Sequence, residues 1–123
     1  MTLRSFVFVI AVLGTAGAAA AHESHGFWAR GDGIVRVRIA PCGAALCATN
    51  EWVNDPSGNE KVGDKLVLDV RPTAAGLEGK AYDPKRDLTF GFELRVARDR
   101  MTTRGCLLGG LFCKSVDWTR IGS

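Results

Sequence analysis

Between Asp87 and Val96, apolar and polar side chains alternate without a break. Leu88, Phe90, Phe92, Leu94 and Val96 fall on one face, and Thr89, Gly91, Glu93 and Arg95 on the other. Successive side chains of a β-strand point to opposite faces, so this period of two predicts a strand with one buried and one wet side. The same pattern recurs from Ile34 to Ala40, where Val35, Val37 and Ile39 oppose Arg36 and Arg38, and from Lys65 to Arg71, where Leu66, Leu68 and Val70 share a face. Weaker alternation marks Gly26 to Arg30, Leu46 to Val53, Leu77 to Tyr82, Met101 to Cys106 and Ser115 to Ile121.

Turn chemistry separates these segments. Gly31-Asp32-Gly33 reads as a hairpin turn, Asp83-Pro84 as a corner, and Asn54-Asp55-Pro56-Ser57-Gly58-Asn59 as a polar loop suited to mobility. Pro41 is expected to end its strand because it has no amide donor. No stretch of this part of the chain has helical periodicity. The reading is an all-β protein, a small antiparallel up-and-down barrel of about eight strands, since closure removes exposed edges; a two-sheet sandwich is the alternative.

The N-terminus departs from this pattern. Arg4 precedes an uncharged apolar run from Phe6 to Leu13, too short to cross a membrane, and Gly14, Gly17 and the alanines 18–21 follow. Small residues at Ala19 and Ala21 predict signal-peptide cleavage before His22. Residues 1–21 are thus expected to be a signal peptide and residues 22–123 a single domain in the periplasm or the medium, with no membrane span in the mature chain. Loss of Arg4 lowers the formal charge from +3 to +2, and basic residues are interleaved with acidic ones, as Arg95, Arg98, Arg100 and Arg104 are with Glu93 and Asp99. That balance argues against nucleic acid as a partner.

All four cysteines, Cys42, Cys47, Cys106 and Cys113, lie in the mature part, where an even number in a small exported domain reads as disulfides. Local pairing of Cys42 with Cys47 and of Cys106 with Cys113 is favoured because each pair brackets a glycine-containing turn; cross-pairing of the two loops stays open. The spacings are neither zinc knuckles nor redox motifs, and the chain carries no cofactor motif.

Several short blocks carry a resemblance over essentially the whole mature chain. They are Gly26-Phe27-Trp28, the stretch Val37 to Cys47 with its core Pro41-Cys42-Gly43-Ala44-Ala45-Leu46-Cys47, Gly79 to Pro84, Arg104-Gly105-Cys106 and Trp118-Thr119-Arg120. In this order they resemble a small exported bacterial family catalogued as domain of unknown function 2147. The resemblance implies a lipocalin-like barrel and no established activity. Ala48 stands where a glycine commonly follows the second cysteine, and the segment between Asn54 and Lys65 lacks the long Pro- and Asn-rich stretch of many members.

Catalysis is not expected. The only histidines, His22 and His25, sit at the start of the mature chain, so no His-supported nucleophile is available on the barrel, and no metal site is expected. A free amine at His22 with the two imidazoles would suit copper, but a frayed, solvated terminus is the preferred reading. The expected function is non-catalytic binding of a small, largely apolar ligand. Interior contacts would come from Val37, Leu68, Phe90, Phe92 and Leu94, joined by Trp28, Trp52, Trp118, Tyr82 and Arg120. For the tryptophans, packing that fills and closes the barrel base is the default role and ligand stacking the functional alternative; Arg120, sharing a face with Trp118, is expected to cap the barrel end ahead of contacting a ligand anion. The alternative function is an envelope or secreted protein-interaction module, such as a hydrolase inhibitor, whose cysteine loops meet a protein partner through Leu107, Leu108, Leu111 and Phe112.

Overall fold

Every alternating segment forms a strand in the computed structural model, which describes residues 21–123. The strands are β1 (Gly26–Arg30), β2 (Val35–Cys42), β3 (Ala45–Val53), β4 (Lys65–Thr73), β5 (Gly76–Asp83), β6 (Leu88–Ala97), β7 (Arg100–Leu107) and β8 (Phe112–Gly122). Each pairs antiparallel with the next, and β8 returns to pair with β1, so the sheet is a closed eight-stranded barrel. That seam decides between the two architectures in favour of the barrel, because a sandwich keeps its edges.

The inward faces carry the apolar half of each alternation. Trp28, Val35, Ile39, Leu68, Leu94 and Met101 are almost fully buried. Outward faces carry Arg36, Arg38, Glu78, Lys80, Glu93 and Arg95, of which all but Glu93 are exposed. Charge outside and hydrocarbon inside is the reverse of a membrane-spanning barrel, whose outer band is apolar. Among the described residues no helix is long and apolar enough to cross a membrane.

Two boundaries differ from expectation. β2 runs through Pro41, which pairs with Leu46 of β3. Because β1 begins at Gly26, opposite Ile39, β2 has a neighbour on one side only by Pro41, an edge position that tolerates a missing donor. β8 begins at Phe112, not Ser115, so the second cysteine loop is a tight hairpin with a 3-10 turn at Leu108–Gly110 and Cys106 directly opposite Cys113. The pairing is local, Cys42–Cys47 and Cys106–Cys113, and no cysteine is free.

The connections sort to two ends. Those after β1, β3, β5 and β7 surround one end of the barrel; those after β2, β4 and β6, with both terminal segments of the described chain, lie at the other. All but Ala21 of the expected signal peptide lies outside the described residues.

Candidate functional site

One end of the barrel is plugged. Trp28 opens β1 on its inward face and is completely buried, directly across from Arg120 of β8. Its indole N–H donates to the Ser24 carbonyl at 2.9 Å. The Arg120 guanidinium lies 4.3 Å from the Trp28 ring centre, and its two Nη atoms donate to the carbonyls of His25 and Glu23. Ser24 is itself fully buried. Gly26 lets the strands approach this closely: its φ is +130°, and a Cβ there would stand 2.7 Å from the Gly122 carbonyl oxygen and 2.8 Å from the Arg120 guanidinium. The frayed terminus expected at His22 and His25 is therefore corrected, because Arg120 and Trp28 fasten the segment's backbone across the barrel end. The two imidazoles meet edge to face at 5.1 Å, His25 Nε2 is buried without a partner, and burial lowers the His25 pKa. Among the described residues no group of three or more His, Cys, Asp or Glu is placed to hold a metal ion.

Above this plug the interior is hollow. A cavity of about 700 Å³ is walled by Val37, Leu68, Phe92, Leu94, Met101 and Trp118, with Phe90 nearer the mouth. Phe90 and Phe92 meet edge to face, 6.4 Å between centroids. Gly105 makes room for them, since a Cβ there would touch the Phe90 ring at 3.0 Å. The deep polar groups are satisfied: the Trp118 indole N–H donates to Thr103 Oγ1 at 3.0 Å. Such an interior is apolar and offers few directional contacts.

The mouth is polar. Arg30 ends β1 facing inward and forms a two-pronged pair with Glu60 of the β3–β4 loop while also holding Asp32. Lys85 of the β5–β6 turn reaches the same loop through Asp64 and the Asn59 carbonyl. Arg86 pairs with Asp83 at 2.8 Å. The loop predicted to be mobile is thus latched at two points. The Arg30 guanidinium holds the Glu60 carboxyl below its usual range against a smaller opposing effect of burial, and the pairing raises the Arg30 pKa in return. Burial pushes the Asp83 carboxyl up, but hydrogen bonds from Arg86 and its neighbour outweigh it, and the net shift is downward. Two carboxylates kept ionised beside arginines are poorly suited to donating a proton near neutral pH.

Of the residues expected to line the interior, Val37, Leu68, Phe90, Phe92, Leu94 and Trp118 do so together. Four lie elsewhere. Trp28 and Arg120 form the plug. Trp52 faces outward beneath the Arg36 guanidinium, 4.6 Å from its ring centre. A bulge explains this: Val37 pairs with Asn50 and Arg36 with Trp52, so Glu51 is an extra residue that turns the rest of β3 over onto its other face. Tyr82 also faces out, its hydroxyl donating to Asp87, because Leu77, Ala81 and Asp83 take the inward positions of β5. Met101, Thr103 and Val116 line the cavity without having been expected there; their signal was the same period of two, diluted by polar residues in β7 and β8.

No curated protein and no solved structure matches the chain. A family model described as an uncharacterized protein conserved in bacteria (DUF2147) matches residues 26–120, from the glycine beside the plug to the arginine that completes it, and the chain belongs to that family.

Proposed function

We propose that this protein is a non-catalytic binding module of the bacterial periplasm or medium, which holds a small, largely apolar ligand inside its barrel. The observation that carries the reading is the cavity of about 700 Å³, walled by aliphatic and aromatic side chains in a barrel whose opposite end is filled by Trp28 and Arg120. That volume lies in the range of pockets that enclose drug-sized molecules. Two disulfides in so small a domain support an oxidising compartment.

Native mass spectrometry of the mature protein from its own host, set beside the denatured mass, tests this. Extra native mass that vanishes on denaturation is the expected result. A protein that carries nothing and takes up no hydrophobic dye would remove the basis for the reading. A second reading, a protein-interaction module, is favoured by one observation: Leu108, Leu111 and Phe112 stand mostly exposed in the Cys106–Cys113 loop. The Cys42–Cys47 loop adds only Gly43, Ala44, Ala45 and Leu46, of which Leu46 is buried.

A further inference from the structure

We infer that the open end of the barrel is a docking surface for a phospholipid bilayer, placing the cavity mouth against the lipid. The inference extends the ligand-binding reading and rests on it for the purpose of docking, though not for the docking itself. Exposed large apolar side chains gather at this end. Leu108 is 74% exposed, Leu111 73% and Phe112 61%, with Leu107 beside them; Ile34 of the β1–β2 turn and Val62 of the β3–β4 loop, 63% exposed, come from two other connections of the same end. At the plugged end, only Ile121 is comparable among the described residues.

Two features favour a lipid layer as the occupant. The tip Leu107-Leu108-Gly109-Gly110-Leu111-Phe112 contains no polar side chain, so it has nothing but backbone with which to make directional contacts to a protein. It is also continuous with the cavity, because Leu107, Leu111 and Phe112 belong to the cavity wall as well as to the surface. The charge at the mouth is balanced: its connections and adjoining strand ends carry Arg30, Lys61, Lys65, Lys85, Arg86 and Lys114 against Asp32, Asp55, Glu60, Asp64, Asp83 and Asp87, so docking is driven by the apolar tip and does not depend on anionic lipid. Lys114, two residues after Phe112, has the reach to keep its ammonium in the headgroup layer while the tip sits among acyl chains. The Cys106–Cys113 bond, spanning the base of the hairpin, constrains the turn that displays the leucines and limits the ordering that docking requires.

Flotation of the mature protein with phosphatidylcholine vesicles, with and without phosphatidylglycerol, tests the inference. The protein should float with both, to a similar extent. The double variant Leu108→Asp/Leu111→Asp should lower the bound fraction at least about tenfold, since two exposed leucines no longer enter the hydrocarbon. Leu108→Ser/Leu111→Ser serves if the aspartates impair folding, judged by circular dichroism. Wild-type protein left behind by both vesicle types, or double variants that float unchanged, would overturn the inference. So would a dimer in sedimentation that the variants dissolve while vesicles bind nothing, which would identify a second copy as the occupant. Dye uptake by the free protein is scored separately: flotation without uptake upholds docking and sinks the cavity reading, and uptake without flotation does the reverse.

Discussion

Arg120 and Trp28 face each other across the β1–β8 seam, the guanidinium stacked over the indole at 4.3 Å while its Nη1 donates to the His25 carbonyl at 2.7 Å. One side chain thus closes the barrel seam, covers the largest buried aromatic and fastens the incoming segment. Arg120→Ala should cost about 2–3 kcal/mol, because charge-assisted hydrogen bonds and a desolvated cation–π contact go together. Arg120→Lys should recover less than half of this, having no planar fork to serve two carbonyls. Urea denaturation of the three proteins measures both, and equal stability of the lysine variant would show that charge alone is enough.

Filling the cavity should separate binding from stability. Ala48 lies on the cavity wall, paired with Ile39 and Leu66. Ala48→Phe should abolish uptake of a hydrophobic dye while changing stability by no more than about 1 kcal/mol, because the ring enters space already empty. Undiminished uptake in a folded variant would place the dye outside the barrel.

The latch on the β3–β4 loop should respond to acid. Arg30 holds the Glu60 carboxyl below its ordinary value of 4.5, so the folded state favours the ionised form. Its stabilisation is complete above the unfolded carboxylate range and disappears as pH falls through the depressed folded value. Hydrogen-exchange protection in residues 54–64 should therefore fall below about pH 4 while β6 and β7 stay protected. Glu60→Gln should show a looser loop at neutral pH and a smaller further change on acidification, that of Asp64 paired with Lys85; a wild-type loop insensitive to pH would mean that neither carboxylate latch holds it.

Each disulfide closes a short loop, with sequence separations of 5 and 7. Replacing either pair by serines should cost about 2 kcal/mol on the chain-entropy account, little enough that the barrel still folds. Thermal denaturation of each double-serine variant measures it. A much larger loss for Cys106→Ser/Cys113→Ser would show that the bridge also holds the mouth in shape.

The fold was legible because its signal is local. Segments such as β6, whose inward residues are all apolar, declare their faces in the sequence alone, and the short cysteine spacings favour local pairing. The illegible features depend on partners distant along the chain. The extra residue at Glu51 that turns Trp52 outward exists only relative to β2. β8 hides its parity because its inward positions include Lys114 and Arg120, one serving the mouth and the other the plug. For Trp28 and Arg120 the sequence left closure and ligand contact side by side; the seam, which sets the two residues opposite each other, places them in closure.

The seam also sets an order of events. β1 is bonded on one side to β8, whose paired residues extend from Trp118 to Gly122. A nascent or truncated polypeptide lacking those residues leaves the first strand with an open edge and Trp28 without its cover. The barrel cannot seal until β8 has joined β1, so closure waits on the strand furthest along the chain from the one it completes.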